Sequence, residues 1–207
     1  MRRGGAMPPP SPGGAWLGLR LWSWARFGLG WALGPEVAAP ERAVGRMLAM
    51  ARVGEGDVVV DVGSGDGRVV RAAASLGARR AIGYEVGRGM HRASVALRDA
   101  MPDPTARARV ELVLGDVLAL GPDAVRGATA VTLYLSERGN VDVARRVLAP
   151  GLGEGARVVS CAFPIRGLTA DAREECDGVS LYLFRVRPGW ADTLGDATVG
   201  DEAGRFL

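Results

Sequence analysis

The chain has 207 residues, 48% hydrophobic and 24% charged, which suits one folded domain with short extensions and excludes a disordered or collagen-like chain. All 26 basic residues are arginine; lysine is absent. The formal net charge of +3 is unevenly placed: residues 1–35 hold Arg2, Arg3, Arg20 and Arg26 and no acid, whereas the remainder has 22 Arg against 23 Asp plus Glu, which excludes a domain-wide nucleic-acid footprint.

Residues 15–34, AWLGLRLWSWARFGLGWALG, carry Trp16, Trp22, Trp24 and Trp31. On a helical wheel Arg20, Ser23 and Arg26 share one arc, with Leu17, Leu21, Ala25, Gly28 and Ala32 opposite; Leu19 and Phe27 spoil the pattern. The length just reaches a bilayer span, but two central arginines would cost about 2.5 to 3.5 kcal/mol each. The segment is therefore expected to be an interfacial helix or a removable targeting sequence. This divides the chain into a leader (1–38), a catalytic-sized domain (39–188) and a polar, glycine-rich tail (189–207) expected to be loosely ordered.

Within the domain, Pro40 and the spacing of Val44, Met47, Leu48 and Ala51 predict a helix over 40–53. The β-branched run at 57–62 predicts a buried strand, followed by a glycine turn and a helix that Gly77 closes. Strands are predicted at 79–86, 109–117, 128–135 and 155–163, with helices over 89–101 and 140–152 between them. Asp177-Gly178 between two extended runs signals a hairpin. Strands alternating with helices imply an α/β, Rossmann-like sandwich, its sheet mostly parallel with an antiparallel C-terminal hairpin at one edge.

The stretch VVVDVGSGDGRVV (58–70) places a tight turn, Gly63-Ser64-Gly65, at the carboxyl end of the first strand, where such sheets bind ligands. A dinucleotide fingerprint needs Gly or Ala at 68, which is Arg68, and a phosphate loop needs a lysine the chain lacks. Asp61 at the mouth would repel pyrophosphate and suits a ligand with a cationic amine. S-adenosylmethionine has that amine, a sulfonium and no phosphate. Glu85, ending the second strand, can accept from both ribose hydroxyls. Asp116 can accept from the adenine amine, with the Val117 amide facing the ring. The expected cofactor set is thus Asp61, Gly63, Ser64, Gly65, Glu85, Asp116 and Val117.

DVGSGDGRVV, GYEV and GARVVSCAFP together resemble the lysine methyltransferases of the ATP synthase c subunit and the adenine nucleotide translocase, with their bacterial relatives. The resemblance spans about residues 40–187. TLYLSERGN keeps the strand-end pattern of the bacterial relatives from Thr132 to Leu135 and departs at Ser136 and Arg138. The resemblance implies a seven-strand methyltransferase fold and methylation of a lysine on a membrane protein, mitochondrial in the eukaryotic members. A small-molecule methyltransferase, or a binding-only relative, would share the same cofactor residues. A bacterial cytoplasm or membrane surface remains the alternative location.

At the fourth strand end Tyr134 is the candidate to face the acceptor amine, and Phe163-Pro164 to shape its entrance; buried packing would place either residue there equally well. A lone His91 excludes a multi-histidine metal site, and Cys161 and Cys176, without a CxxC, read as reduced thiols. The chain is expected to act as a monomer on a protein substrate.

Overall fold

The computed structural model describes residues 39–194. The leader on which the membrane expectation rests lies outside the described residues. In chain order the elements are α1 (Glu41–Met50), β1 (Val58–Val62), α2 (Arg68–Ser75), β2 (Arg80–Glu85), α3 (Arg88–Asp99), α4 (Pro104–Ala108), β3 (Val110–Leu114), α5 (Val117–Leu120), β4 (Ala130–Leu133), α6 (from Glu137–Val143), β5 (Arg157–Cys161), β6 (Ala172–Cys176), β7 (Val179–Arg185) and α7 (Trp190–Thr193).

The sheet runs β3-β2-β1-β4-β5-β7-β6. The five strands from β3 to β5 are parallel, and β7 joins β5 and β6 antiparallel. The order reverses between β1 and β4, so the ligand crevice opens there, beyond the carboxyl ends. Asp177 and Gly178 both take positive φ, joining paired Cys176 and Val179 in the predicted two-residue turn.

Every residue of β1 is buried, as expected of a strand covered on both faces. The pleat sends Val58, Val60 and Val62 into one core with Val143, Val147 and Leu148 of the helix after β4. It sends Val59 to the other, against Val44, Met47 and Leu48 of α1 and Val70 and Ala73 of α2. Asp61 keeps step with Val59 and so lies on the α2 side, near the first turn of that helix.

Three elements differ from the sequence expectation. The helix after β4 begins at Glu137, not 140, because the Ser136 hydroxyl accepts from the Gly139 amide at 3.1 Å and caps it. It then widens over Ala144–Leu148, where the Ala149 amide reaches back to the Ala144 carbonyl. That wider turn relieves the clash the Pro150 ring would make one turn back. A short helix, α4, has no counterpart in the expectation: Asp103 accepts from the Thr105 amide at 2.8 Å and Pro104 takes its first position. Finally, residues 189–194 of the tail are packed, and its remainder, 195–207, lies outside the described residues. Trp190 and Leu194 are buried in the core beneath the sheet, and their apolar area holds α7 to the domain.

At the amino ends of the strands, Arg157 of β5 donates to the Ala51 carbonyl at 2.7 Å and pairs with Asp57. Thr129 also donates to Asp57 at 2.6 Å. Burial works against the Asp57 charge, but these hydrogen bonds hold its carboxyl below the usual range.

Candidate active site

Gly63, Gly65 and Gly67 take φ of +75°, +53° and +76°, the left-handed region that β-carbons disfavour. A Cβ on Gly63 would stand 2.9 Å from the Leu135 side chain, so the loop leaving β4 also crowds that position. The Gly63 and Ser64 amides both donate to the Tyr84 carbonyl at 2.9 Å, fastening the turn to β2. Asp66 holds Arg68 through paired hydrogen bonds, and Arg68 donates onward to the Ala39 carbonyl at 2.7 Å. The Asp-Gly-Arg that follows the turn is thus a brace to the start of the domain. The same Arg68 holds the Asp66 carboxyl below its ordinary range.

Glu85 lies at the centre of the cluster. One carboxylate oxygen accepts from the Gly65 amide at 2.8 Å and the other from the Gly87 amide at 2.6 Å. A carboxylate has about four acceptor sites, so two remain for ligand hydroxyls. The Gly115 amide donates to the Glu85 carbonyl at 2.9 Å and draws the β3 exit alongside.

Asp61 is only 4% exposed. Thr132 of β4, its parallel register partner, donates to it at 2.6 Å. Burial pushes the Asp61 carboxyl up to about 7; Thr132 pulls the other way, and the charges of Glu85 and Asp66 add to the rise. Among the described residues no arginine pairs with Asp61, whose one side-chain partner is the Thr132 hydroxyl.

The remaining predicted residues separate by role. Asp116 sits just beyond β3, exposed, and caps α5 by accepting from the Leu118 amide at 2.9 Å. Val117 buries its side chain in the core. The Ser64 hydroxyl is buried without a partner, and a Cβ added to Gly83 would meet it at 2.7 Å. The side chain therefore lies over β2. Tyr134 follows β4 and packs, half-buried, on the α1/α2 core. Burial raises its pKa, which keeps the phenol protonated. Thr132 and the Gly87 amide are absent from the set that sequence reasoning names; a lone threonine in an apolar strand is the only trace of the first.

These residues fit S-adenosylmethionine. A buried acid lacking a cation suits its ammonium, Glu85 retains sites for a ribose diol, and Val86 and Leu114 expose apolar surface (59% and 40%) at the exits of β2 and β3 for a flat base. No group of residues able to hold a metal occurs among the described residues. Cys161 is buried with its thiol pushed up to about 12 by that burial, so it is no nucleophile.

The sheet order, glycine turn and strand-end acids define a class I, Rossmann-like S-adenosylmethionine-dependent methyltransferase. Residues 61–172 match the model of the ANTKMT methyltransferase domain, and the chain belongs to that family. It is 34% identical over 134 residues to a protein-lysine N-methyltransferase of Saccharolobus islandicus (strain REY15A), covering 64% of this chain and 79% of that protein. Its fold superposes with TM-score 0.65 on the crystal structure of an RNA methyltransferase from Salinibacter ruber in complex with S-adenosylhomocysteine. That match has 33% identity and spans 73% of this chain and 95% of the other. TrmN from Thermus thermophilus, at 16% identity and TM-score 0.57, shares the fold alone over 69% of this chain and 48% of its own.

Proposed function

We propose that this methyltransferase acts on the side-chain amine of a protein lysine, and that its acceptor is membrane-bound. The observation that carries the lysine reading is the 34% identity to a protein-lysine N-methyltransferase across 79% of that protein. The basic, tryptophan-rich leader supports the membrane acceptor, and by the family resemblance a mitochondrial setting.

In this reading Asp61 takes the cofactor's ammonium, Glu85 its ribose hydroxyls, and the β3 exit around Asp116 and Val117 its adenine. Bound there, the cofactor supplies an electrophilic methyl on sulfur. The chain's part is to bring a neutral amine into line with it. Lysine ionises at about 10.4 in water, and an apolar entrance at Tyr134 and Phe163 favours its neutral form. Tyr134, protonated, donates or accepts a hydrogen bond at the amine and does not act as a base.

The test is transfer of labelled methyl from S-adenosylmethionine to membrane protein, soluble protein and RNA fractions. The enzyme has no lysine, so labelled lysine in any protein is transfer to another chain. Methyl-lysine in a membrane protein is expected. Label confined to RNA, the acceptor for which the Salinibacter ruber enzyme is named, or to metabolites, would overturn the lysine reading.

A further inference from the structure

The loop leaving β5 is held more firmly than the cofactor residues alone require. Ser160, fully buried in β5, donates to the Phe163 carbonyl at 2.7 Å. Asn140, fully buried in the second turn of α6, donates to the same carbonyl at 2.9 Å. Arg166, three residues on, pairs with Glu137 of that helix. Between β5 and the carbonyl, Ala162 takes φ of +68°, a conformation costly to a residue with a β-carbon. Such strain persists only where surrounding contacts over-determine it. The side chain these contacts present is Phe163, 36% exposed, two residues beyond the carboxyl end of β5.

Asn140 has a second peculiarity. Its amide nitrogen is committed to Phe163, which fixes its orientation, and its oxygen is buried without a partner. Replacing this residue by an apolar one would remove that orphan acceptor. What the amide group offers in exchange is its hold on Phe163. The carbonyl it shares with Ser160 belongs to the partly exposed Phe163, three positions past Ser160, which pairs with Leu133 at the end of β4. Tyr134 leaves that strand on the adjoining path.

We infer that Asn140 is a positioning residue for the methyl acceptor: by clamping the Phe163 carbonyl, together with Ser160, it sets the Phe163 ring as one wall of the channel that admits the acceptor amine. The inference rests on the methyl-acceptor reading above for the identity of what enters. Asn140 needs no contact with the cofactor in this role, so cofactor affinity is a separate readout.

The experiment titrates methyl transfer from labelled S-adenosylmethionine to a detergent-solubilised membrane-protein fraction, the acceptor class proposed above, with Asn140→Ala, Ser160→Ala and Phe163→Ala, alongside calorimetric cofactor affinity and melting curves. Asn140→Ala should raise the acceptor KM about tenfold, with kcat falling less and cofactor Kd unchanged. Ser160→Ala should move the same way by a smaller factor, since one donor remains. Phe163→Ala is a surface change, and it should reproduce the KM effect with the melting temperature preserved. An acceptor KM that stays at the wild-type value in all three variants, or a cofactor Kd that weakens in step with transfer, would overturn the inference. If Asn140→Ala does not fold, Phe163→Ala and Ser160→Ala decide alone. A wild-type enzyme that leaves the lysines of that fraction unlabelled but labels RNA rejects the lysine reading instead. The same variants, titrated with that RNA, then decide the role of Asn140 by the same KM criterion.

Discussion

Asp61 shows how a residue's role follows from what surrounds it. An acid held near neutrality by burial binds its proton more tightly folded than unfolded. Between about pH 4 and 7 the folded chain therefore carries more protons, so this contribution to stability is complete at low pH and is lost as pH rises through 7. The loss is on the order of 4 kcal/mol at about 1.4 kcal/mol per unit. Asp61→Asn should remove that slope, so that unliganded variant and wild type diverge in melting temperature toward pH 8, with the variant the more stable. The same change should weaken S-adenosylmethionine binding by calorimetry. Cofactor affinity of the wild type should rise between about pH 5.5 and 7 as the carboxylate forms. A flat affinity profile with a normal Asp61→Asn affinity would remove the ammonium role. Glu85 makes a second residue-scale prediction. Glu85→Ala leaves the Gly65 and Gly87 amides without their acceptor and deletes the proposed ribose partner. Its cofactor affinity should fall by about 1.5 to 3 kcal/mol; unchanged calorimetry in a folded variant would refute the assignment.

At the scale of elements, the two ends of the sheet do different work. The carboxyl ends carry the proposed ligand groups, while the amino ends carry the Asp57–Thr129–Arg157 cluster that joins β1, the start of β4, β5 and the end of α1. Arg157 and Asp57 side chains are 16% and 13% exposed, so removing one leaves the other buried with an unmatched charge. Arg157→Ala should destabilise the chain by about 3 kcal/mol in denaturant titration. Because the cluster lies at the opposite ends of the strands, cofactor affinity of the folded fraction should not change. A change in affinity without a change in stability would show that the two ends communicate. The glycine turn is also crowded by neighbours: a β-carbon would stand 2.9 Å from Leu135 at Gly63 and 3.2 Å from Ser94 of α3 at Gly67, besides the positive φ at both.

For the whole molecule, the leader and the domain separate cleanly in charge. The described domain contains each proposed cofactor residue, and no helix within it is long and apolar enough to cross a membrane. A chain beginning near residue 39 should therefore bind S-adenosylmethionine with wild-type affinity. A fusion of residues 1–38 to a fluorescent protein should leave the cytosol or bind anionic liposomes. Diffuse signal together with no liposome binding would end the membrane proposal. If the leader tethers the enzyme, its deletion should slow methylation of a membrane-bound acceptor and spare a soluble probe, since tethering acts only through local concentration.

The sequence alone determined the fold class and put three acids at consecutive strand ends, because alternating apolar runs, glycines and strand-end charges are local signals. It also marked the hairpin through Asp177-Gly178. What only the tertiary structure decided depends on which strands lie side by side. Thr132 became the partner of Asp61 because β4 inserts beside β1, a pairing between residues 71 positions apart. Ser64 turned under the loop because Gly83 leaves space for it across β2. Trp190 and Leu194, in a stretch whose composition reads as loose, were fixed by an apolar face that no local pattern announces. Asn140 acquired its clamp on Phe163 because α6 and the β5 loop meet only once the sheet has closed between them. Burial and register are properties of the assembled sheet, and they reassign the work of residues whose identity the chain had already made plain.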